Sequence, residues 1–196
     1  MKNIVFDLGG VLFARDKSKC TPELLEFFSF LRAPRMPLFW EEYDRGTSTL
    51  EEVTATISGM TGRPVETCAA VLRLAVDLQE PVKPTERLVG DLKAAGYRLY
   101  VLSNMSREFI DFLRRFPVYG LFDGEVVSCE EHTVKPEPRI YEILLERYGL
   151  KPSETLFIDD RRSNLEAAAA FGIATFHFRE PESSCTQLRE MLLQKE

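Results

Sequence analysis

The stretch Ile4-Val5-Phe6-Asp7-Leu8-Gly9-Gly10 decides the fold, because a short apolar run ends abruptly in an aspartate and two glycines. Consecutive β-branched and aromatic residues predict a buried strand. The same pattern returns where Val101-Leu102 leads to Ser103-Asn104, and where Phe157-Ile158 leads to Asp159-Asp160. Ligands of open parallel sheets bind beyond the carboxyl ends of the strands. We therefore expect these polar residues to meet in one crevice if their strands are neighbours.

Strand candidates alternate with helical patterns along most of the chain. Strands are predicted at 4–6, 99–102, 125–127, 156–158 and 174–176. Apolar residues at i, i+3, i+4 spacing predict helices at 85–95, 106–115, 137–148, 164–171 and 186–194. This alternation implies βαβ crossovers, so we predict an α/β fold, a Rossmann-like doubly wound parallel sheet with helices on both faces.

Residues 14–84 show a different pattern, with helical periodicity and no predicted strand. The helical patterns lie at 22–31, 49–58 and 66–77. Prolines and glycines separate them, namely Pro34, Pro37, Gly59, Gly62 and Pro64. We predict a small α-helical cap over 14–84, inserted after the first strand, and an α/β core formed by 1–13 and 85–196. The alternative is that this segment continues the α/β layers.

Composition excludes several classes of protein. The 196 residues, 44% of them hydrophobic, allow one domain with a modest insertion. A net charge of −6 argues against a general nucleic-acid binder, and no apolar run reaches the ~20 residues of a membrane span. The four cysteines are scattered and no secretory signal precedes the first strand, so we expect free thiols in a cytoplasmic protein. We therefore expect neither a nucleic-acid nor a membrane partner, and the oligomeric state stays open.

The residue types at the predicted crevice favour phosphoryl transfer. Asp7, Asp159 and Asp160 would repel one another unless a cation lay between them, and Mg²⁺ prefers carboxylate, carbonyl and water oxygens. Lys135, in a loop before a helix, and the Ser103 hydroxyl suit the oxygens of a phosphoryl group. An aspartate at such a site can act as the nucleophile and pass through an aspartyl-phosphate.

Four segments in order resemble the four sequence motifs of the haloacid dehalogenase-like (HAD) hydrolase superfamily. They are 6–12, 101–104, 135–141 and 157–164. The helical insertion is similar to the family's cap. Residues 45–52 resemble a cap segment of the branch that holds sugar-phosphate phosphatases, of the α-D-glucose-1-phosphate phosphatase type, and the N-terminal phosphatase domain of epoxide hydrolase. The resemblance implies a phosphatase that acts on a small phosphorylated metabolite, with a sugar phosphate as one candidate.

The resemblance also implies roles for individual residues. Asp7 matches the family's nucleophile. Ser103 matches the hydroxyl that binds the phosphate, with Asn104 beside it. Lys135 matches the cation that neutralises the nucleophile and the phosphoryl group.

The implied metal is Mg²⁺. Its protein ligands would be Asp160, Asp7 and the backbone carbonyl of Gly9. Asp159 would lie beside Asp160 without binding the metal, although the two aspartates could exchange these roles.

One position departs from the family's pattern. Most family phosphatases carry a second aspartate two residues after the nucleophile, where it serves as general acid and base, and this chain has Gly9 there. General acid–base help is worth ~10²–10⁴-fold in rate. Either the substrate's leaving group departs without that help, or another group donates the proton, with Asp16, His132 and cap residues such as Glu42 as the candidates.

Two other functions stay open at this stage. A 2-haloacid dehalogenase would use Asp7 to attack carbon, and it would need neither a proton donor at Gly9 nor a metal. A catalytically weak HAD-like binding protein would have lost its acid. Metal dependence separates the phosphatase from the dehalogenase, and turnover of any phosphate ester separates it from the binding protein.

Overall fold

The computed structural model describes residues 1–32 and 36–193, apart from the side chains of residues 17, 31 and 32. The predicted break at Pro34 and the predicted last helical residue, Gln194, lie outside the described residues. The strands are β1 (Asn3–Phe6), β2 (Phe13–Arg15), β3 (Gln79–Pro81), β4 (Arg98–Ser103), β5 (Gly124–Val127), β6 (Thr155–Asp159) and β7 (Ala174–His177).

Ten helices accompany these strands in the described residues. They are α1 (Pro22–Phe27), α2 (Leu38–Arg45), α3 (Leu50–Thr61), α4 (Val65–Asp77), α5 (Lys83–Ala94), α6 (Arg107–Leu113), α7 (Ser128–Glu131), α8 (Pro138–Tyr148), α9 (Arg162–Ala170) and α10 (Pro181–Leu193). Glycine ends α8 as its sequence predicts, because Gly149 adopts the left-handed conformation with φ +58°.

The main sheet contains five parallel strands in the order β5-β4-β1-β6-β7. Side chains alternate across it, so Ile4 and Phe6 face one hydrophobic cluster and Val5 faces the other. Helices α5, α6 and α10 cover the first face, and α8 and α9 cover the second. The predicted doubly wound α/β fold is confirmed.

The segment between β2 and β3 is mostly helical and has its own apolar cluster. Buried residues of α1 to α4, here called the cap helices, pack around Trp40 together with Phe109 from α6. The extent of a separate cap over 14–84 stays a prediction.

Two local predictions for this segment were wrong. The antiparallel pair β2–β3 was missed, since three residues such as Gln79-Glu80-Pro81 carry no strand pattern. Helix α2 was missed because it begins after Pro37 with no side-chain cap.

No described helix combines the length and the apolar character needed to cross a membrane. Cys20, Cys68, Cys129 and Cys185 are all free thiols, as the scattered spacing predicts. Cys68, Cys129 and Cys185 are buried, and Cys20 is half-buried.

Candidate active site

Three polar side chains meet at the carboxyl edge of the sheet. Strand β1 lies between β4 and β6, and Phe6 pairs with Val101 on one side and Ile158 on the other. This register brings Asp7, Ser103 and Asp159 to one place, and all three are buried. The Ser103 hydroxyl donates a hydrogen bond of 2.8 Å to Asp7 Oδ1. The convergence that the sequence predicts is therefore present.

Lys135 joins the carboxylates of two strands. Its Nζ lies 2.9 Å from Asp7 Oδ1 and 2.7 Å from Asp159 Oδ2, and it donates a hydrogen bond to the Leu102 carbonyl at 2.9 Å. Burial by itself would lower the pKa of Lys135, but the Asp159 and Asp7 carboxylates raise it above its ordinary value. The buried side chain therefore stays an ammonium ion.

Asn104 holds the loop that carries Lys135. Its Oδ1 accepts a hydrogen bond from the Lys135 backbone N–H at 2.7 Å, and its Nδ2 donates to the Lys135 carbonyl at 2.9 Å. Asn104 also lines the cavity in front of Asp7. Both hydrogen bonds of the Asn104 amide group therefore go to the backbone of Lys135. They fix the position of this backbone and so limit the positions that the Lys135 ammonium group can take.

Asp159 is fully buried and saturated with hydrogen-bond donors. Besides Lys135, it accepts hydrogen bonds from the Arg161 backbone N–H at 2.7 Å and from Asn164 Nδ2 at 3.0 and 3.1 Å. Asn164 lies in the first turn of α9, five residues after Asp159. Sequence reasoning placed Asn164 in a motif without giving it a role.

Asp160 has a different environment, although it is the next residue. Asp160 is exposed to solvent. Its carboxylate oxygen Oδ2 lies next to Gly10, because a Cβ added at Gly10 would be 3.0 Å from this oxygen. Gly10 also has a φ of +77°, so both its backbone and its neighbour favour glycine. Loss of solvating water and the charge of Asp159 raise the pKa of Asp160.

Asp7, Asp159 and Asp160 form one carboxylate cluster. Each contributes an oxygen, and these oxygens lie within 4.8 Å of one another. Burial raises the pKa of Asp7 to about 7, against the opposing effect of Lys135 and with further increases from Asp159 and Asp160. One ammonium ion therefore faces three carboxylates, and this excess of negative charge fits a divalent cation with oxygen ligands.

A cavity of about 730 Å³ opens in front of the cluster. The sheet side of the cavity includes Asp7, Gly9, Lys135 and Asp160. The opposite side comes from the cap helices and their neighbours, with an aromatic group formed by Phe28, Trp40 and Phe109. A phosphoryl group at Asp7 would thus leave room for a sizeable organic part beneath the cap helices.

The three candidate proton donors named from the sequence are not among the residues that line this cavity. Asp16 accepts hydrogen bonds from its neighbour Ser18, and His132 is exposed, with its Nδ1 3.2 Å from the Arg45 carbonyl. Glu42 is also absent from the lining.

Two other acids of α2, Glu41 and Asp44, do line the cavity. They are three residues apart and so share one face of the helix. If α2 had been predicted as a helix, the spacing of Glu41 and Asp44 would have indicated that they share one face.

The chain combines a doubly wound parallel sheet with a cluster of carboxylates at the carboxyl edge, where Lys135 bridges two of them. This fold and this site together are typical of an α/β enzyme. The family model of the haloacid dehalogenase-like hydrolases matches residues 1–172. The chain belongs to this family, so the expectation that it is a hydrolase is confirmed.

Two phosphatases and one solved enzyme match this chain over nearly their whole lengths. The chain is 28% identical over 192 residues to sesquiterpene phosphatase astK of Aspergillus oryzae, covering 97% of this chain and 96% of that protein. It is 27% identical over 210 residues to a D-ribitol-5-phosphate phosphatase of Bacteroides thetaiotaomicron, covering 97% of each. A HAD-family enzyme of the same bacterium, solved with magnesium and inorganic phosphate, is 27% identical with a TM-score of 0.69, covering 91% of this chain and 94% of that one.

Proposed function

We propose that this protein is a Mg²⁺-dependent phosphatase that hydrolyses a small phosphorylated metabolite through an aspartyl-phosphate formed on Asp7. The observation that carries the proposal is the cluster of three carboxylates around Lys135 at the floor of a large cavity. The similarity to two phosphatases and to an enzyme solved with magnesium and phosphate supports it.

In this proposal, Asp7 acts as the nucleophile. Its Oδ1 accepts hydrogen bonds from Ser103 and lies beside the Lys135 ammonium ion, whereas no described side chain donates to Oδ2. We assign the attack on phosphorus to Oδ2. The P–O bond to the leaving group breaks, and water then hydrolyses the aspartyl-phosphate to release phosphate and regenerate Asp7.

Ser103 and Lys135 stabilise the charge that the reaction moves. Both lie within hydrogen-bond distance of Asp7 Oδ1, so both adjoin the position that a transferring phosphoryl group occupies. Prearranged donors of this kind need no rearrangement as charge develops. Asn104 contributes by fixing the backbone of Lys135.

The residues present fit a magnesium ion. Asp7, Asp160 and the Gly9 carbonyl would hold it, because Asp159 is already occupied by Lys135, Asn164 and the Arg161 N–H. When bound, the ion supplies positive charge to the phosphoryl oxygens. Gly10 leaves the space that the Asp160 carboxylate needs.

The carboxylate cluster also separates this proposal from the dehalogenase alternative. Attack of Asp7 on carbon needs no cation beyond Lys135, so a third carboxylate beside the first two would add only repulsion. The weak-binding alternative gains no support from Asp7, which is in contact with both Ser103 and Lys135.

The test is a screen of phosphate monoesters with wild type and Asp7→Asn, each in Mg²⁺ and in EDTA. We expect hydrolysis by wild type that vanishes in EDTA and returns with Mg²⁺. Asp7→Asn should fall to background while melting cooperatively, since the amide keeps the size and removes the nucleophile.

Substantial turnover by folded Asp7→Asn would contradict the covalent mechanism. Full activity in EDTA, or release of halide from 2-haloacids, would favour the dehalogenase. A wild type that turns over none of the esters would favour the binding protein.

A further inference from the structure

The reaction proposed above lacks a proton donor on the sheet. Gly9 stands where the family's acid would be, and it offers no side chain to the cavity that it lines. Ser103 and Lys135 already donate toward Asp7, and Asp160 belongs to the proposed metal site. An alkoxide leaving group is a strong base and departs much faster when a positioned acid protonates it.

Asp44 lies across the same cavity, at the last turn of α2. Asp44 and Asp7 line the same cavity, and the charge of Asp7 contributes to the raised pKa of the Asp44 carboxyl. No lysine, arginine or histidine of the described residues forms an ion pair with it. The other cavity acid on this helix, Glu41, is bound to Arg45 at 2.9 Å and is less available.

The structure anchors α2 to the core at this very residue. The Ser128 hydroxyl donates a hydrogen bond to the Asp44 carbonyl. The adjacent Arg45 binds both oxygens of Glu137, at 2.6 and 2.8 Å. Gly46, with φ +74°, packs so close to the core that a Cβ there would lie 2.9 Å from Cys129 Cα. The position of Asp44 over the sheet is thereby fixed by three successive residues.

We infer that Asp44 is the general acid and base of this enzyme, supplied from α2 in place of the missing aspartate at Gly9. The inference rests on the proposed phosphatase function. As Asp7 Oδ2 bonds to phosphorus, the P–O bond electrons pass to the leaving oxygen, which takes the proton of the Asp44 carboxyl and leaves as an alcohol. The resulting Asp44 carboxylate then accepts a proton from the water that attacks the aspartyl-phosphate, which restores the carboxylic acid.

The surroundings of Asp44 suit both roles. Loss of solvating water raises its pKa to about 7, with smaller increases from Asp7 and Glu41, while Arg161 and the Ser106 backbone N–H act in the opposite direction. A carboxyl that titrates near neutral pH can give up and recover a proton within one catalytic cycle.

The experiment compares Asp44→Asn with wild type on two phosphate monoesters in Mg²⁺, 4-nitrophenyl phosphate and an alkyl phosphate such as glycerol phosphate. Its control is Glu42→Gln, a neighbouring acid of α2 outside the cavity lining. We expect Asp44→Asn to lower kcat/KM for the alkyl ester by ~10²–10⁴-fold and to change the aryl ester much less, because nitrophenolate departs without a proton. Glu42→Gln should match wild type on both esters.

The pH profile gives a second readout. In wild type, kcat/KM for the alkyl ester should fall on the alkaline side of the profile, since the acid must carry its proton. Asp44→Asn should lose this alkaline limb.

An equal loss on both esters, or a retained alkaline limb, would overturn the assignment and give Asp44 a structural role. A wild type inactive on every ester would instead refute the phosphatase proposal. A thermal melt of each variant checks that the fold is kept.

Discussion

The carboxyl groups on the two sides of the cavity have different partners, although burial raises the pKa of both Asp7 and Asp44 to about 7. Asp7, on the sheet, accepts a hydrogen bond from Ser103 and lies 2.9 Å from Lys135, whose positive charge opposes the effect of burial on the pKa of Asp7. Asp44, on α2, has no ion-pair partner among the described residues; its backbone carbonyl accepts a hydrogen bond from Ser128, and the Ser106 backbone N–H acts on its carboxyl. Under the proposed function, the cation beside Asp7 suits attack and metal binding, and the lack of an ion-pair partner at Asp44 suits proton transfer.

A second contrast lies within the sheet edge itself. Asp159 ends β6 and is surrounded by donors, whereas Asp160 has left the strand and is exposed beside Gly10. Successive residues of a strand point to opposite faces, so two adjacent aspartates at its end meet different surroundings. One therefore holds Lys135 in place and the other is left to bind a cation.

The largest expected effect separates this pair. Asp159→Ala removes the partner of a buried ammonium ion and should lower the free energy of unfolding by about 3–5 kcal/mol. Asp160→Ala should change that free energy little, because the residue is exposed, but it should weaken Mg²⁺ binding far more than folding. Urea denaturation and calorimetric titration with Mg²⁺ measure the two quantities.

A reversed outcome would contradict the ligand assignment. If Asp159→Ala folded normally and bound Mg²⁺ less tightly than Asp160→Ala, Asp159 would be the direct ligand. Each variant serves as the control of the other, since both remove one carboxylate from the same cluster.

The sheet and its polar edge could be predicted from the sequence because their signals are local. An apolar run followed at once by Asp7, Ser103 or Asp159 marks both a strand and its end, and parallel pairing brings those ends together. Asp44 gave no such signal. The position of Asp44 depends on the contact between Arg45 and Glu137, which are 92 residues apart. A local sequence pattern does not indicate how a helix packs against a loop that is distant in the chain.

Asp16, His132 and Glu42 illustrate the same limit of local sequence patterns, because the sequence suggested them as proton donors. Each lies near one of the motifs along the chain, yet none of them lines the cavity. The sequence alone did not show which side chains reach the cavity, because the cavity wall opposite Asp7 is formed by helices that fold back over the sheet.

A smaller effect tests whether the anchor of α2 matters for chemistry. Gly46 and Gly62 both adopt left-handed conformations at helix ends, but a Cβ at Gly62 meets nothing within 4 Å. Gly46→Ala should cost about 1–3 kcal/mol more stability than Gly62→Ala, because it adds a clash with Cys129 to the same backbone strain. It should also slow alkyl esters more than aryl esters, by displacing Asp44.

Thermal melts and the two-ester assay measure these effects, with Gly62→Ala as the matched control. Equal stability of the two variants would mean that the contact with Cys129 yields easily. A Gly46→Ala enzyme with unchanged ester preference would show that the placement of Asp44 does not depend on this contact.

The smallest effect asks whether an acid on the sheet can replace the acid on α2. The backbone at Gly9 lies outside the left-handed region, and a Cβ there would meet only Met105 Cε, at an ordinary 3.8 Å. Gly9→Asp should therefore be tolerated. In the Asp44→Asn background it should recover alkyl phosphate hydrolysis by about tenfold, a fraction of the full ~10²–10⁴-fold benefit of a positioned acid. In wild type it should add little, because Asp44 already provides the proton.

Single-turnover rates for the four combinations of the two substitutions form a double-mutant cycle. An equal gain in both backgrounds would mean that the two positions act independently, and that Asp44 does not hold the proton which Gly9 lacks.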